Sequence, residues 1–368
     1  MRAVAERLRV LVTGWLNSPH VAAWADTVAA AGHEVELAGR VVPGWPELEL
    51  PVPSHRLPAG LPPPLRGLRM SRELGRVAAA NGPDLVHAHY LPEYGWMAAR
   101  EGLAPLVCSA WGSDVLGAGR VARLRSRRAL EAAALVLVDS EHLAGEVRAL
   151  AHGDIRVEVV RWGLDLERFA PGDAAGARAA LGLDGEGPLV AGVRGLRPVY
   201  NPELLLEAFA LVRRRRPDAR LLLKHPLDGT PSFVGEAIER LGLHGAVTVL
   251  GNVAAERLPD VYRAADVVVS IPSSDSSPRS VWEALACGRP VVVSDLPWAR
   301  DELRAGGQAL LTPLSADAVA EAIDRVLGDV ALARRLGEEG RLLAVAQLEP
   351  AAAAARIDAL YGSVVRPR

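Results

Sequence analysis

The chain has 368 residues, half of them hydrophobic, and a formal charge of -2. At roughly 100–200 residues per domain this length implies two packed cores, and the near-neutral charge excludes general attraction to nucleic acid, so a bound anion has to be met by a local site. Cys108 and Cys287 stand alone in apolar segments, without CxxC or Cys/His spacing, which excludes a disulfide framework and a zinc cage.

In chain order, MRAVAERLRVLVTG passes through charged residues straight into a strand, with no apolar leader. No uncharged apolar run reaches the length a membrane span needs. Together with the unpaired cysteines, this predicts a cytoplasmic protein without a transmembrane segment, with peripheral membrane contact left open. Short β-branched runs then alternate with segments of helical period, the pattern of βα units around parallel sheets and so of an α/β fold. The first series predicts strands at RVLVTG, EVELAG, DLVHAH, PLVCSAW, LVLVDS and VEVVRW, with helices at 19–31 and 141–150. The basic stretch GRVARLRSRRAL reads as a solvated helix face, with contact to a lipid or polyanionic acceptor as the alternative.

The segment LDLERFAPGDAAGARAALGLDGEG has no strand pattern and is rich in Gly, Ala and Asp, which marks a domain boundary. A second series follows at PLVAGV, RLLLKH, AVTVLG, VVVSIP and PVVVSD, with helices at 202–216, 232–242, 256–265 and 278–287, and closing helices at 315–327, 329–345 and 350–362. The expected organisation is a first domain over 1–168, a second over 169–348, and a last helix, 349–368, returning toward the first domain. Two doubly wound domains of this kind are expected to bind ligands at the C-terminal ends of their strands, in a shared cleft.

In SSDSSPRSVWEALACG, Ser277 reads as a helix N-cap, Pro278 as the first helical residue, and Gly288 with Pro290 as the stop. Such a helix start offers backbone N–H groups and a positive dipole end to a phosphate. Glu283 lies four residues after Arg279 and so on the same helix side, placed to accept hydrogen bonds from hydroxyls. The plain alternative is an ordinary surface pair with Arg279. Ser18 and Pro19 repeat the cap-and-proline pattern in GWLNSPHVAAW, where His20 and Trp24 share a face, and His89 ends the strand DLVHAH.

These segments resemble the GT-B glycosyltransferases of family GT4. SSDSSPRSVWEALACGRPVV is similar to the family's E-x7-E donor segment, with Asp275 in the first acidic position and Glu283 in the second. SPHVAAWADTVAAAGHEV, PDLVHAHY, LVDSEHLAGEV and VEVVRWGLDLERFAP resemble further family segments in the same order, with Trp162 where asparagine is frequent. The resemblance implies two Rossmann-like domains. It also implies that Glu283 binds the nucleotide ribose, that Asp275 faces the donor sugar, and that the backbone from Ser276 through Ser277 and Pro278 to Arg279 lies near sugar and phosphates. Gly14, Gly195 and Asn252 fall at further donor-binding positions, and His20, His89, Trp111 and Asp114 at acceptor or sugar-binding ones.

Departures from the family pattern are informative. The diphosphate loop GVRGLRPVYNPELLLEAF has Gly195 at the family's arginine position and Tyr200 at its lysine position, with Arg194 one residue earlier. Of the 42 lysines and arginines only Lys224 is a lysine, which makes it the candidate replacement, against the plain reading of a strand-end lysine in solvent. In CSAWGSDVL, Trp111 takes the family's histidine position; it has no acceptor, so it stacks on a sugar or fills space. Asp114 matches the family's acidic position, with a helix N-cap as its plain reading.

The function so implied is retaining transfer of a sugar from a UDP-sugar, or another nucleoside-diphosphate sugar, to a hydroxyl of a saccharide, lipid or small natural product. Arg194, Lys224 and Asp275 would be catalytic, with no metal and no cofactor. Alternatives are a nucleotide-sugar-binding protein with little or no turnover, and a nucleotide-sugar epimerase on the same scaffold. A dehydrogenase is disfavoured because VTGWLNSPH lacks GxGxxG.

Overall fold

The computed structural model describes residues 7–62, 65–183, 185–225 and 230–365, so the first six residues of the N-terminal run lie outside the described residues. The chain divides into two compact units, Met1–Gly163 with Pro350–Arg368, and Leu164–Glu349. Both are α/β, as the alternating pattern predicts.

The first unit runs β1 (Arg9–Trp15), α1 (Pro19–Ala30), β2 (Glu34–Arg40), β3 (Ser54–Arg56), α2 (Leu65–Asn81) and β4 (Leu85–His89). A π-helical turn, Tyr90–Gly95, leads into α3 (Trp96–Arg100), and β5 (Leu106–Ser109), α4 (Arg120–Ala132), β6 (Leu135–Val138), α5 (Glu141–Leu150) and β7 (Val157–Val159) follow. The second unit runs α6 (Ala174–Ala180), β8 (Leu189–Gly192), α7 (Pro202–Arg215), β9 (Arg220–Lys224), α8 (Ser232–Arg240), β10 (Val247–Leu250), α9 (Leu258–Ala264) and β11 (Val267–Ser270). It is completed by α10 (Arg279–Ala286), β12 (Val291–Ser294), α11 (Pro297–Glu302), β13 (Leu310–Thr312), α12 (Ala316–Gly328) and α13 (Val330–Gln347), after which α14 (Pro350–Gly362) rejoins the first unit.

Strand order is β3-β2-β1-β4-β5-β6-β7 in the first unit and β10-β9-β8-β11-β12-β13 in the second. All pairings are parallel. Helices cover both faces of such sheets, so a strand such as Leu135–Val138 is buried at every position and reads in sequence as an unbroken apolar run. In each unit the winding reverses beside the first strand, between β1 and β4 and between β8 and β11. At such a switch point the loops diverge to opposite faces and leave a crevice at the carboxyl ends of the strands.

The boundary falls at Gly163, five residues before the expected 168, because the intervening residues pack with the second unit. Leu164 and Phe169 are buried in its core beside Tyr262. Arg341 of α13 donates to the carbonyls of Leu166 and Phe169 at 3.0 and 2.7 Å. The last helix is held in the first unit by a buried polar chain. Tyr361 accepts from Trp24 Nε1 at 3.0 Å and donates to His87 Nδ1 at 2.5 Å, and His87 Nε2 bonds Ser109 Oγ at 2.8 Å.

Candidate functional site

The switch point of the second unit carries the acidic segment. Arg194 follows β8, and the loop after β11 bears Asp275. Arg194 Nη2 donates to Asp275 Oδ2 at 2.6 Å and Nη1 to Ser280 Oγ at 3.2 Å, while its guanidinium lies 4.4 Å over the Tyr200 ring. The two loops are tied independently: Asn201, in a left-handed conformation at φ 53°, donates its amide to the Ile271 carbonyl at 2.8 Å, and Ser273 N donates to Val199 O at 2.9 Å. Burial pushes the Asp275 carboxyl up from its usual range, against the Arg194 charge and the Ser276 N–H, which pull it down. The pair is thus largely desolvated, with one guanidinium matched to one carboxylate.

Glu283 is buried on α10, where its Oε2 accepts from Tyr262 OH at 2.5 Å and its Oε1 from Arg279 Nε at 3.2 Å. Burial, and then the Glu283 charge, raises the Tyr262 phenol well above its ordinary value, so Tyr262 is a neutral donor that fixes the carboxylate. A carboxylate has about four lone-pair sites, so capacity remains for ligand hydroxyls. Lys224 ends β9, half-buried. Burial lowers its ammonium from the ordinary lysine value, while the Glu283 charge favours the protonated form. Its ammonium has no ion pair among the described residues.

Ser277 is not a helix cap. Pro278 occupies the N-cap position, without a side-chain bond, and α10 begins at Arg279. The Ser277 hydroxyl is taken by tertiary partners: it accepts from the buried Trp282 Nε1 at 2.8 Å and donates to Glu302 Oε2 at 2.7 Å. A buried indole N–H needs an acceptor, and that demand outweighs the local cap. Ser276 is buried, with its N–H on Asp275 Oδ1 at 2.9 Å. Gly195 is half-buried beside Arg194, whereas Asn252 is exposed in the loop after edge strand β10, and no hydrogen bond among the described residues joins it to this group.

Gly14 lies in the first unit, in β1, and its lack of a side chain has a packing cause. A Cβ there would stand 2.7 Å from Val21 Cγ2 of α1. Around it the structure gathers His20, His89 and Trp111 into one aromatic group. Trp111 donates its indole N–H to His89 Nδ1 at 3.2 Å, which leaves the proton on His89 Nε2, a buried atom without a partner among the described residues. Burial, assisted by the proximity of His20, drops the His89 pKa to about 3, so the ring is neutral. Ser18 precedes α1 as its N-cap residue, without a side-chain cap bond.

Trp111 also packs on Trp162, with centroids 5.8 Å apart, and the His20 ring stands edge-on to both at 5.5 and 5.2 Å. The two departures from the family pattern are therefore one packed feature. Asp114 is fully buried but does not cap α4, which begins six residues later. Its carboxylate accepts from Trp111 N at 2.8 Å and from Leu91 N, in the π-helical turn, at 3.0 Å. Burial pushes its pKa up to about 6 against those N–H donors. Asp114 thus aligns the Trp111 loop with the turn after β4. Sequence reasoning missed Tyr262, Ser280 and the π-helical turn; Tyr262 reads simply as a core residue of an amphipathic helix, and only its hydroxyl partner reveals more.

Comparison with known proteins bears on the family and the fold. The model of Glycosyltransferase Family 4 matches residues 18–168, and that of Glycosyl transferases group 1 matches residues 174–343. A D-inositol 3-phosphate glycosyltransferase of Mycolicibacterium vanbaalenii is 35% identical over 237 residues, 57% of this chain and 52% of that protein. Its counterpart in Gordonia bronchialis is 32% identical over 292 residues, 72% of this chain and 63% of that protein. The chain thus spans about half the length of the first of these relatives and under two thirds of the second. A sucrose-phosphate synthase from Thermosynechococcus elongatus superimposes with a TM-score of 0.83 at 23% identity, over 97% of this chain and 99% of that one. Anabaena HepE in complex with UDP-glucose gives 0.80 at 20%, over 97% and 100%. These likenesses carry the fold, and the two family models, one on each unit, carry the membership: the chain belongs to family GT4 of the GT-B glycosyltransferases.

Proposed function

We propose that the protein transfers a sugar from a nucleoside-diphosphate sugar to an acceptor hydroxyl. The observation that carries this is the grouping at the second unit's switch point: Arg194 locked to Asp275 at 2.6 Å, Glu283 held by Tyr262 and Arg279, and Lys224 at the adjoining strand end. Glu283 accepts the ribose hydroxyls. Arg194 and Lys224 meet the diphosphate, with the amides at the start of α10 alongside. Asp275 takes the donor sugar, and Arg194 holds its shorter side chain in place. A charge-assisted hydrogen bond is worth about 1.5–3 kcal/mol, so each of these cations that contacts the leaving diphosphate contributes on that scale.

In the first unit, the neutral His89, Trp111, His20 and Asp114 form the sugar- and acceptor-facing group. The proposed reaction retains anomeric configuration. The bond from the anomeric carbon to the diphosphate oxygen breaks, the acceptor oxygen bonds that carbon from the same face, and the acceptor proton passes to the leaving phosphate. No side chain forms a covalent intermediate, and the protein's contribution is orientation and charge stabilisation. Metal independence, a UDP donor and a cytoplasmic setting are parts of this proposal. The HepE complex with UDP-glucose supports the donor, and the relatives named for inositol 3-phosphate support a hydroxyl acceptor. No helix among the described residues is long and apolar enough to cross a membrane.

One observation favours a second reading, a nucleotide-sugar-binding protein with little turnover. Tyr200 stands where the family carries its lysine, and it packs on Arg194 instead of supplying a second cation to that loop. Thermal shift with UDP and GDP, followed by release of UDP or GDP from nucleotide sugars, tests both. A UDP-induced rise lost in Glu283→Ala, with release in the wild type, supports transfer; binding without release supports the second reading. Sugar interconversion without an acceptor would instead reveal an epimerase.

A further inference from the structure

A cavity of about 300 Å³ opens in the first unit between α2, the π-helical turn with α3, and α4. Its floor is apolar, made by Met70, Trp96 and Met97, and its charged lining residues are Arg66, Glu93 and Arg125. Glu93 is already matched: it accepts from Arg40 Nε at 2.7 Å and Nη2 at 3.3 Å, and from Trp15 Nε1 at 3.1 Å. Arg66 and Arg125 have no ion pair and no side-chain hydrogen bond among the described residues. The Arg125 guanidinium lies 4.4 Å over the Trp96 ring. On the exposed side of α2, Arg76 pairs with Glu73 at 2.8 Å, whereas Arg69 and Arg72 have no ion pair among the described residues, so the lack of a partner alone does not set Arg66 and Arg125 apart. What sets them apart is that both line one cavity with an apolar floor, a departure from the simple solvated face expected for this basic region.

Four further features belong to the same place. Tyr90, at the mouth of the turn, adopts φ 74°, a left-handed conformation that a bulky residue rarely holds and that gathers at ligand sites. The turn itself is π-helical, a geometry common at functional sites. Gly67 lines the cavity, and a Cβ there would already stand 3.4 Å from Trp96. Val121 and Leu124, 65% and 63% exposed and three apart on α4, keep an apolar rim in solvent.

The geometry points to a binding site for a small amphipathic anion, with an apolar body on Trp96, Met70 and Met97 and a phosphate or carboxylate on Arg66 and Arg125. Tyr90 joins the cavity to the aromatic group described above: its ring lies 4.8 Å from that of Trp15, which stands edge-on to Trp111 at 5.9 Å. The occupant is then the non-reacting part of the acceptor, an assignment that rests on the glycosyl-transfer reading, whereas the binding site itself does not. The floor selects an apolar anion over a polyol phosphate, because a polyol would lose its hydration against methionine and indole without replacement partners.

The test is calorimetric titration of the full chain with octyl phosphate and octanoate, below their micelle concentrations, against 1-octanol and glycerol 3-phosphate. Octyl phosphate or octanoate should bind at least tenfold more tightly than either comparison compound. Arg66→Gln with Arg125→Gln should remove that advantage, and Gly67→Leu, which improves helix propensity while filling the space, should abolish binding without lowering the melting temperature. Equal affinity for 1-octanol or glycerol 3-phosphate, or wild-type affinity in either variant, would overturn the site. The UDP thermal shift of the wild type separates the two readings. A wild-type protein that gives a UDP shift but binds neither anion overturns this site alone, and anion binding by a protein that shows neither UDP shift nor transfer overturns only its acceptor role.

Discussion

Glu283→Gln is the sharpest perturbation of the proposed donor site, because it keeps the shape and removes the charge. The wild-type carboxylate accepts from Tyr262 at 2.5 Å and from Arg279 at 3.2 Å. An amide offers one oxygen and one NH2 group, so in either orientation one of these donors faces another donor. Tyr262 sits fully inside the core, and leaving its hydroxyl unmatched costs about 1–3 kcal/mol, so the amide oxygen should turn toward it and the NH2 toward Arg279. The ribose then loses charge-assisted acceptance. The difference between hydrogen bonds to charged and to neutral groups is about 1 kcal/mol each, so two hydroxyls lose about 2 kcal/mol, on the order of 30-fold in UDP affinity. Isothermal titration with UDP measures this directly, with the melting temperature as the fold control. UDP affinity within about twofold of wild type in a folded Glu283→Gln protein would refute the ribose assignment.

Other consequences follow from the same geometry. Lys224→Ala should weaken UDP binding and lower release of the nucleoside diphosphate by about 10-fold or more, since one charge-assisted contact to the leaving group disappears; wild-type rates would return Lys224 to a strand-end role. His89 is held neutral in the fold, with its pKa dropped to about 3 from an unfolded value near 6.5, so the stability it contributes is present above pH 6.5 and is lost as pH falls toward 3. Thermal melts between pH 4 and 7 should therefore show a shallower acid decline in His89→Gln than in the wild type, and parallel curves would contradict the neutral, buried assignment. Trp111→His and Trp162→Asn, which restore the family residues singly, should couple in a double-mutant cycle by at least about 0.5 kcal/mol of unfolding free energy, because each ring packs on the other. Additivity within a few tenths would make the two departures independent.

Much of the fold is legible in sequence for a physical reason: strands such as Val267–Ser270 and Val291–Ser294 are covered on both faces and therefore appear as unbroken apolar runs between helical periods. The edge strands Ser54–Arg56 and Leu310–Thr312 are three residues long and leave no such pattern. Helix α2 contains Gly67 and Gly75 and is polar on average, but Met70, Leu74 and Ala78 recur at helical spacing, so its stability comes from the tertiary contacts of that face rather than propensity. In the site, the pairing of Glu283 with Arg279 follows from helical spacing, whereas Tyr262 comes from another helix and no local rule anticipates it. The cap read at Ser277 fails because Trp282, buried five residues later, claims the hydroxyl. Arg194, displaced by one residue from the family pattern, becomes intelligible only when its distance to the shortened Asp275 side chain is known. The exchange of histidine and asparagine for Trp111 and Trp162 looks like two separate losses in one dimension and is a single packed group in three.

The central claim is that this chain breaks the bond between sugar and diphosphate with its own cations and Glu283 holding the nucleotide. Release of UDP or GDP from a panel of UDP- and GDP-sugars, measured in the presence of a metal chelator with a hydroxyl acceptor panel, tests that claim most directly. Release and a glycosylated product of retained anomeric configuration are expected from the wild type, with release lowered by about 10-fold or more in Lys224→Ala and lost in Glu283→Ala. Nucleotide-sugar binding without release across the panel, or release by Glu283→Ala at the wild-type rate, would contradict it.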